Sequence, residues 1–103
     1  MYETWLPVDV KNRCGGAGKR TCQVIDVRER AEWHTGHIPK ANHIPLGELP
    51  MRLRELDAKL LTIVVCQSGG RSARACEYLS QQGYRAVNML GGMSQWHGDV
   101  SYT

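Results

Sequence analysis

The chain has 103 residues, 42% of them hydrophobic and 22% charged, which is typical of one compact domain and excludes both a two-domain protein and a disordered chain. Thirteen Lys and Arg against ten Asp and Glu give a net charge of +3. Nine of the basic residues are arginines, and they are scattered without the basic stripe and interleaved aromatics of a nucleic-acid surface. The charge therefore favours recognition of a small anion, and we expect no nucleic-acid partner.

The four cysteines raise the question of redox compartment. The N-terminus has neither the basic start nor the apolar segment of a secretory signal, and the longest apolar run, residues 60–66, is too short to cross a bilayer. We therefore expect a cytoplasmic protein without membrane association, whose thiols are free. Cys14 and Cys22 flank a glycine-rich segment. They are either unreactive loop thiols, which we favour, or an accessory redox pair.

The first half of the chain alternates between strand and helix patterns. Residues 22–27 are rich in β-branched side chains and predict a buried strand that carries Asp26 and Arg28 to its end. A helical turn over residues 28–33 and a brief extended segment over residues 42–44 follow, separated by a loop. Leucines at helical spacing then predict a helix over residues 47–60, with Pro50 tolerated only in its first turn.

The second half carries the strongest strand signal, a short continuous β-branched run over residues 62–66. A tight turn at residues 67–70 leads into a predicted helix over residues 71–82, which Gly83 closes. A further strand over residues 86–90 and a short terminal helix containing Trp96 complete the pattern. The fold class is therefore α/β, with a small, mostly parallel central sheet flanked by helices on both faces and ligands expected at the carboxyl ends of the strands.

One domain is expected, with residues 1–22 as a lead-in segment that includes the glycine-rich loop, residues 23–98 as the core and residues 99–103 as a short tail. Residues 15–21 superficially resemble a phosphate-binding loop, but their spacing is wrong and they precede a strand instead of following one. No Cys or carboxylate completes a ligand set around His34, His37 and His43, so we expect neither a metal nor a cofactor.

Cys66 stands where a parallel strand ends, ahead of a glycine-containing turn and a helix start. Backbone N–H groups converge on a side chain in this position, and together with the guanidinium of Arg71 they would lower the pKa of the thiol. The alternative, a buried core cysteine before an ordinary turn, is weakened by the Gly-Gly-Arg-Ser sequence that follows. Cys76 lies on the apolar face of the next helix, which favours core packing over a resolving thiol.

Four motifs together resemble a single-domain rhodanese over residues 23–96: Ile-Asp-Val-Arg at 25–28, Gly-His-Ile-Pro-Lys-Ala at 36–41, Cys-Gln-Ser-Gly-Gly-Arg-Ser at 66–72, and Gly91-Gly92 before Trp96. The resemblance implies a rhodanese-like fold and a sulfurtransferase that holds a sulfane sulfur as a cysteine persulfide. Lys40 replaces a usually small residue, and Trp33 stands where Phe or Tyr is commoner. Neither departure touches the implied chemistry.

The resemblance also implies a role for each residue that matches a motif. Cys66 would be the nucleophile, and Asp26, Arg28 and His37 would support the site. The substrate cradle would consist of Gln67, Ser68, Gly69, Gly70, Arg71 and Ser72. Counted from Cys66 to Arg71 the loop has six residues, enough to surround one sulfur atom, whereas phosphatases and arsenate reductases of similar architecture have one residue more.

The expected function is transfer of sulfur from thiosulfate or a persulfide donor to cyanide or a thiol through a persulfide on Cys66, with ping-pong kinetics. The expected partners are a small sulfur-containing anion and a thiol acceptor, with a thioredoxin-like or sulfur-relay protein kept open. A non-enzymatic persulfide carrier or protein-binding module is the alternative from a different class, and a phosphatase is a weaker third.

Overall fold

The computed structural model describes residues 1–14 and 21–103, in which five parallel strands form one sheet with the order β1-β5-β4-β2-β3. The strands are β1 (Glu3–Trp5), β2 (Cys22–Asp26), β3 (Asn42–His43), β4 (Leu61–Val65) and β5 (Ala86–Met89). The helices are α1 (Pro7–Cys14), α2 (Arg30–Trp33), α3 (Leu49–Arg52) and α4 (Gly70–Gln81). Short 3-10 turns cover Leu46–Glu48, Leu53–Glu55 and Gly92–Gln95.

The core lies on both faces of the sheet, because successive strand side chains point to opposite sides. Along β4, Ile63 and Val65 face one apolar layer, whereas Val64 and the following Cys66 face the other. The layer with Cys66 is closed by α3 and α4, and the opposite layer by α1 and the C-terminal segment. The predicted α/β sheet with helices on both faces is confirmed.

The strand register brings the predicted site residues to one edge of the sheet. Asp26 is paired with Val65, so Cys66 emerges beside the end of β2. Val64 is paired with Asn88 of β5, which places the Asn88 side chain on the same face as Cys66. The carboxyl ends of β2, β4 and β5 thus bring together residues that are far apart in sequence.

The long helix predicted over residues 47–60 is wrong in extent. The chain there forms only α3 and two flanking 3-10 turns, and Leu56 already has extended backbone angles, φ −101° and ψ 145°. Leu53 and Leu56 can still face the core, because residues three apart align in a 3-10 turn. Gln23 then accepts a hydrogen bond from the Asp57 backbone N–H, 3.1 Å away, and directs the chain toward β4.

The N-terminal segment contains a strand and a helix that the sequence patterns do not predict. β1 is paired with β5, Glu3 opposite Val87, and its Trp5 side chain is buried. α1 follows and buries Val10 against the same layer. At the other end of the chain, Trp96 directly follows the last 3-10 turn instead of lying within a helix as predicted. Across residues 1–14 and 21–103, no helix has the length and apolar character needed to span a lipid bilayer.

The prediction that all thiols are free is wrong for Cys14 and Cys22, which form a disulfide. Cys14 ends α1 and Cys22 begins β2, and their Cα atoms are 5.7 Å apart, within the range that a disulfide bridges. The enclosed glycine-rich segment, residues 15–20, lies outside the described residues, as does most of the phosphate-loop-like sequence. Cys66 and Cys76 are free and buried, and Cys76 packs in the core as predicted.

The disulfide is expected to stabilise the fold without affecting the site. Cys22 begins β2 beside Leu61, whereas Cys66 follows the other end of β4, roughly 16 Å along the strand. Replacing both Cys14 and Cys22 with serine should lower the free energy of unfolding by about 2.5 kcal/mol, since the bridge closes a loop of sequence separation 8. Urea unfolding with and without reductant measures this. The prediction would be contradicted if the unsubstituted protein had the same urea midpoint with and without reductant.

Candidate active site

The Cys66 thiol lies beneath the turn that joins β4 to α4. The backbone N–H of Gly69 donates to Cys66 Sγ at 2.9 Å, and Ser72 Oγ lies 3.2 Å from the same sulfur. Gly69 has φ +106°, a left-handed conformation that glycine adopts without steric cost and that turns the loop back over the sulfur. The loop and the first turn of α4 therefore aim hydrogen-bond donors at one atom.

These donors govern the protonation of Cys66. Burial, the largest single influence, raises the pKa of the thiol, but the hydrogen bonds together outweigh it and lower the pKa below its usual value. The contributors are the Ser72 hydroxyl and the backbone N–H groups of Ser72, Gly69 and Ser68. By contrast, burial raises the pKa of Cys76 to about 12. The site therefore favours a thiolate on Cys66 and a neutral thiol on Cys76.

Ser72 links the sulfur to a buried amide on β5. The Ser72 hydroxyl donates to Asn88 Oδ1, and Asn88 Nδ2 donates to the Gly69 carbonyl at 3.3 Å. A neutral Cys66 thiol can donate to Ser72 Oγ while Ser72 donates to Asn88. Once Cys66 is ionised, rotation of the hydroxyl turns its proton toward the sulfur, so Ser72 can serve both protonation states.

Replacing Ser72 with alanine is expected to raise the pKa of Cys66. The reactive form is the thiolate, so the rate of Cys66 alkylation should rise with pH along a curve displaced to higher pH. At pH 7 the rate should fall by about tenfold or more, because a hydrogen bond to a charged group contributes about 1.5–3 kcal/mol. Iodoacetamide kinetics from pH 5 to 10 measure the curve, with Ser80→Ala at the far end of α4 as the matched control. Coincident curves for Ser72→Ala and the unsubstituted protein would contradict this role.

The loop is also held from the C-terminal side. The backbone N–H of Met93 donates to the Cys66 carbonyl at 2.8 Å, and that of Ser94 donates to the Gln67 carbonyl at 3.0 Å. Gly92 makes this approach possible, because a Cβ on it would lie 2.3 Å from the Cys66 carbonyl oxygen. The Gly91-Gly92 motif therefore fixes the loop backbone.

Asp26 and Arg28 form a buried ion pair beside the loop, and both side chains are 1% exposed. Arg28 Nε and Nη2 donate to the Asp26 carboxylate, the latter at 2.8 Å. The remaining nitrogen, Nη1, donates to the Gln67 side chain at 3.1 Å, while Nη2 also donates to the Gly36 carbonyl. The pair thus connects the end of β2 to the loop, and its support of the site stays a prediction.

Arg71 lies at the end of the loop, and its charge is balanced by Glu32, a partner that the sequence does not suggest. Its two terminal nitrogens donate to the two Glu32 oxygens at 2.7 Å each. These bonds lower the pKa of Glu32 to about 2, so the pair persists at all ordinary pH values. The hydroxyl and amides above lower the pKa of Cys66 most. The charge of Cys66 in turn raises the pKa of Arg71, so the guanidinium adds a smaller contribution in the direction that the sequence predicts.

His37 lies away from the sulfur, in the segment after α2. Its ring stacks on Trp33 with ring centroids 3.4 Å apart, and its backbone pairs with Ser101 near the C-terminus. His43 stacks on Trp33 as well and lies 2.7 Å from the Arg28 carbonyl through Nε2. Within the described residues, no group of three or more His, Cys, Asp or Glu side chains could hold a metal ion.

Ser68 and Gly70 complete the predicted cradle. Ser68 is exposed and acts on the sulfur through its backbone N–H, while Gly70 begins α4. Two side chains of the site were missed, Asn88 and Glu32. Asn88 could have been found as the one polar residue in the run over residues 86–90, on the face that points toward the loop. Glu32 carries no such local signal, because its partner Arg71 is 39 residues away.

This chain is similar to known proteins in both sequence and structure. The family model described as "Rhodanese-like domain" matches residues 7–99. YtwF of Bacillus subtilis is 43% identical over 77 residues, 75% of each chain, and a protein of Allochromatium vinosum named "Sulfurtransferase" is 41% identical over 78 residues, 73% of each chain. A crystal structure of a rhodanese-related protein from Thermoplasma volcanium is 30% identical, covers 99% of this chain and 100% of that one, and has a TM-score of 0.89.

Proposed function

Because the chain belongs to the rhodanese-like domain family and has a relative named a sulfurtransferase, we propose that it carries a sulfane sulfur as a persulfide on Cys66. The donor is thiosulfate or a persulfide, and the acceptor is cyanide or a thiol. The observation that carries the proposal is the set of N–H and O–H donors aimed at the one sulfur atom of Cys66.

In the first half-reaction the Cys66 thiolate attacks the sulfane sulfur of thiosulfate. A bond forms between Cys66 Sγ and that sulfur, the sulfur–sulfur bond of thiosulfate breaks, and sulfite leaves with the electron pair. The negative charge that stays on the protein resides on the outer sulfur of the persulfide. The N–H and O–H groups of the loop, which already converge on Cys66, are the donors available to stabilise this charge.

In the second half-reaction the acceptor attacks the outer sulfur of the persulfide. Cyanide forms a carbon–sulfur bond, the persulfide bond breaks, and the electron pair returns to Cys66 as thiolate while thiocyanate leaves. A thiolate acceptor reacts in the same way and leaves as a new persulfide. The hydrogen bonds that lower the pKa of Cys66 also make its thiolate a better leaving group, so one set of donors assists both steps.

The loop size and charge favour sulfur over phosphate as the transferred group. The six residues from Cys66 to Arg71 close over a single sulfur atom, and Cys66 is fully buried. The Arg71 guanidinium, which a tetrahedral oxyanion would need, donates to Glu32 through both terminal nitrogens. Recognition of a donor anion by Arg71 thus requires the anion to share or displace the Glu32 contact.

Mass spectrometry of the intact protein tests the proposal. After incubation with thiosulfate, the protein should gain the mass of one sulfur atom, and cyanide should remove it with release of thiocyanate. Cys66→Ala should show no gain, whereas Cys76→Ala should behave like the unsubstituted protein. An unchanged mass with thiosulfate and with a low-molecular-weight persulfide would overturn the proposal.

A persulfide carrier without turnover is the second candidate, and its partner would be a thioredoxin-like or sulfur-relay protein. The minimal size of the domain favours it, together with a loop whose Gln67 and Ser68 side chains do not select a particular donor. Turnover distinguishes the two. A carrier gains the sulfur but releases it to cyanide or small thiols no faster than a free persulfide in solution does.

A further inference from the structure

An open apolar groove of about 620 Å³ lies beside the catalytic loop, at the same edge of the sheet. Its walls come from the residues that follow β1, the first turns of α1, the end of β5 and the C-terminal segment. Small-molecule sites commonly have volumes of about 300–1,000 Å³ and apolar linings. The groove residues used below are Leu6, Val8, Lys11, Leu90, Gly91 and Trp96.

The groove exposes large apolar side chains to solvent. Leu6 is 51% exposed, Val8 54% and Leu90 51%, although each belongs to an ordered segment next to the core. Three neighbouring apolar side chains around one concave surface form a patch of the kind that marks a binding site. The other strongly exposed apolar side chain within a helix, Met51, lies on α3 and does not line the groove.

Trp96 contributes an aromatic ring to the groove, and two contacts hold this ring. Trp96 Nε1 donates to the Asp99 carbonyl at 2.9 Å, and a Cβ on Gly98 would lie 2.5 Å from the Trp96 ring. The ring is therefore fixed between its hydrogen bond and the Gly98 backbone. A preformed aromatic surface of this kind binds apolar groups at little conformational cost.

Groove and thiol are connected through two glycines. Gly69 donates its N–H to Cys66 Sγ, and on its other side a Cβ built on Gly69 would lie 3.4 Å from the Gly91 nitrogen. Gly91 is itself a groove residue. One residue, Gly69, thus lies between the groove wall and the reacting sulfur.

The closed cradle determines where the rest of a donor must lie. Because the loop surrounds about one sulfur atom and Cys66 is fully buried, an organic substituent on the sulfane sulfur cannot enter with it. The substituent must therefore lie outside the loop, and the groove is the apolar surface that adjoins the loop there, through the contact of Gly91 with Gly69. Lys11 adds a positive charge there, which suits the anionic head of a sulfur donor or its leaving group.

We propose that this groove binds the apolar substituent of an organic sulfane-sulfur donor, an alkyl or aryl persulfide or thiosulfonate, and makes such donors better substrates than thiosulfate. The inference rests on the proposed function and specifies its substrate class. With a thiosulfonate, the Cys66 thiolate attacks the terminal sulfur, the bond between that sulfur and the sulfonyl sulfur breaks, and the sulfinate leaves with the electron pair. Charge and atoms balance without any further reactant.

The test uses methane-, butane- and octanethiosulfonate, which deliver the same sulfur with increasing apolar length. For the unsubstituted protein, kcat/KM should rise by about tenfold or more from methane- to octanethiosulfonate, because each buried methylene gains about fourfold. The double variant Val8→Ser/Leu90→Ser should lose this gain while keeping its thiosulfate activity. Met51→Ser is the matched control and should retain the gain. No rise with chain length, or a rise that survives in the double variant, overturns the inference.

Calorimetric binding of octanesulfonate, which has no sulfur to transfer, separates the groove from the reaction. Binding weakened at least fivefold in Val8→Ser/Leu90→Ser but not in Met51→Ser supports the groove even if no donor charges Cys66, in which case the proposed function fails alone. The opposite outcome overturns the groove proposal alone. In that case the protein turns over thiosulfate, but octanesulfonate either does not bind or binds equally well after the double substitution.

Discussion

Replacing Gly92 with alanine is expected to reduce sulfur transfer about a hundredfold or more and to destabilise the fold. The new Cβ would lie 2.3 Å from the Cys66 carbonyl oxygen and 2.7 Å from the Gln67 carbonyl carbon, and both are backbone atoms that cannot rotate away. The φ of +60° adds about 1–2 kcal/mol for a residue with a side chain. The loop must therefore shift, and a displacement near 1 Å at a reacting group costs about a hundredfold.

Gly47→Ala is the matched control for this prediction, because a Cβ there would meet no atom within 4 Å. Its transfer rate should equal that of the unsubstituted protein. Thiocyanate formation and urea unfolding, measured on both variants, give the two readouts. A Gly92→Ala protein with normal kcat/KM would show that the loop does not depend on the close contact between the Gly92 and Cys66 backbones.

Replacing Asp26 with asparagine is expected to lower the free energy of unfolding by about 3–5 kcal/mol, the largest stability effect we predict. The substitution leaves the Arg28 guanidinium buried, at 1% exposure, without its counter-charge. Because Arg28 also binds Gln67 in the loop, weaker placement of Arg28 should reduce transfer as well. Urea unfolding at pH 7 measures the stability change, and thiocyanate formation measures the transfer rate.

Glu48→Gln removes one negative charge, as Asp26→Asn does, but from a partly exposed cluster with Arg30 and Arg52. Ion pairs of this kind contribute little, because water screens them. The unfolding curve of Glu48→Gln should therefore remain close to that of the unsubstituted protein. Equal destabilisation by Asp26→Asn and Glu48→Gln would mean that burial does not govern the strength of the Asp26–Arg28 pair.

The site chemistry depends on hydrogen-bond donors more than on a free cation. Arg71 is engaged by Glu32, while an amide and a hydroxyl lie directly against Cys66 Sγ. Donors of this kind are short-range and directional, so they stabilise charge on one sulfur atom without attracting larger anions strongly. This arrangement suits sulfur transfer better than binding of a tetrahedral oxyanion.

The periodicity of the sequence predicted the central strands because it records burial directly. Residues 62–66 are apolar or β-branched throughout, and β4 is buried on both faces. The predicted helix over residues 47–60 is too long, because leucines three residues apart fit a 3-10 turn as well as an α-helix. β1 was not predicted because three residues carry too little pattern, and its place in the sheet depends on pairing with β5 far along the chain.

The α/β class, the strand that delivers Cys66 and the glycine turn after it follow from local sequence patterns, since all three depend on neighbouring residues. The groups that meet at Cys66 depend instead on how the chain packs in three dimensions. Asn88 reaches Ser72 across 16 residues, Glu32 reaches Arg71 across 39, and Cys14 meets Cys22 instead of remaining free. These contacts arise when strands of distant sequence align at one edge of the sheet, and local sequence patterns do not record that alignment.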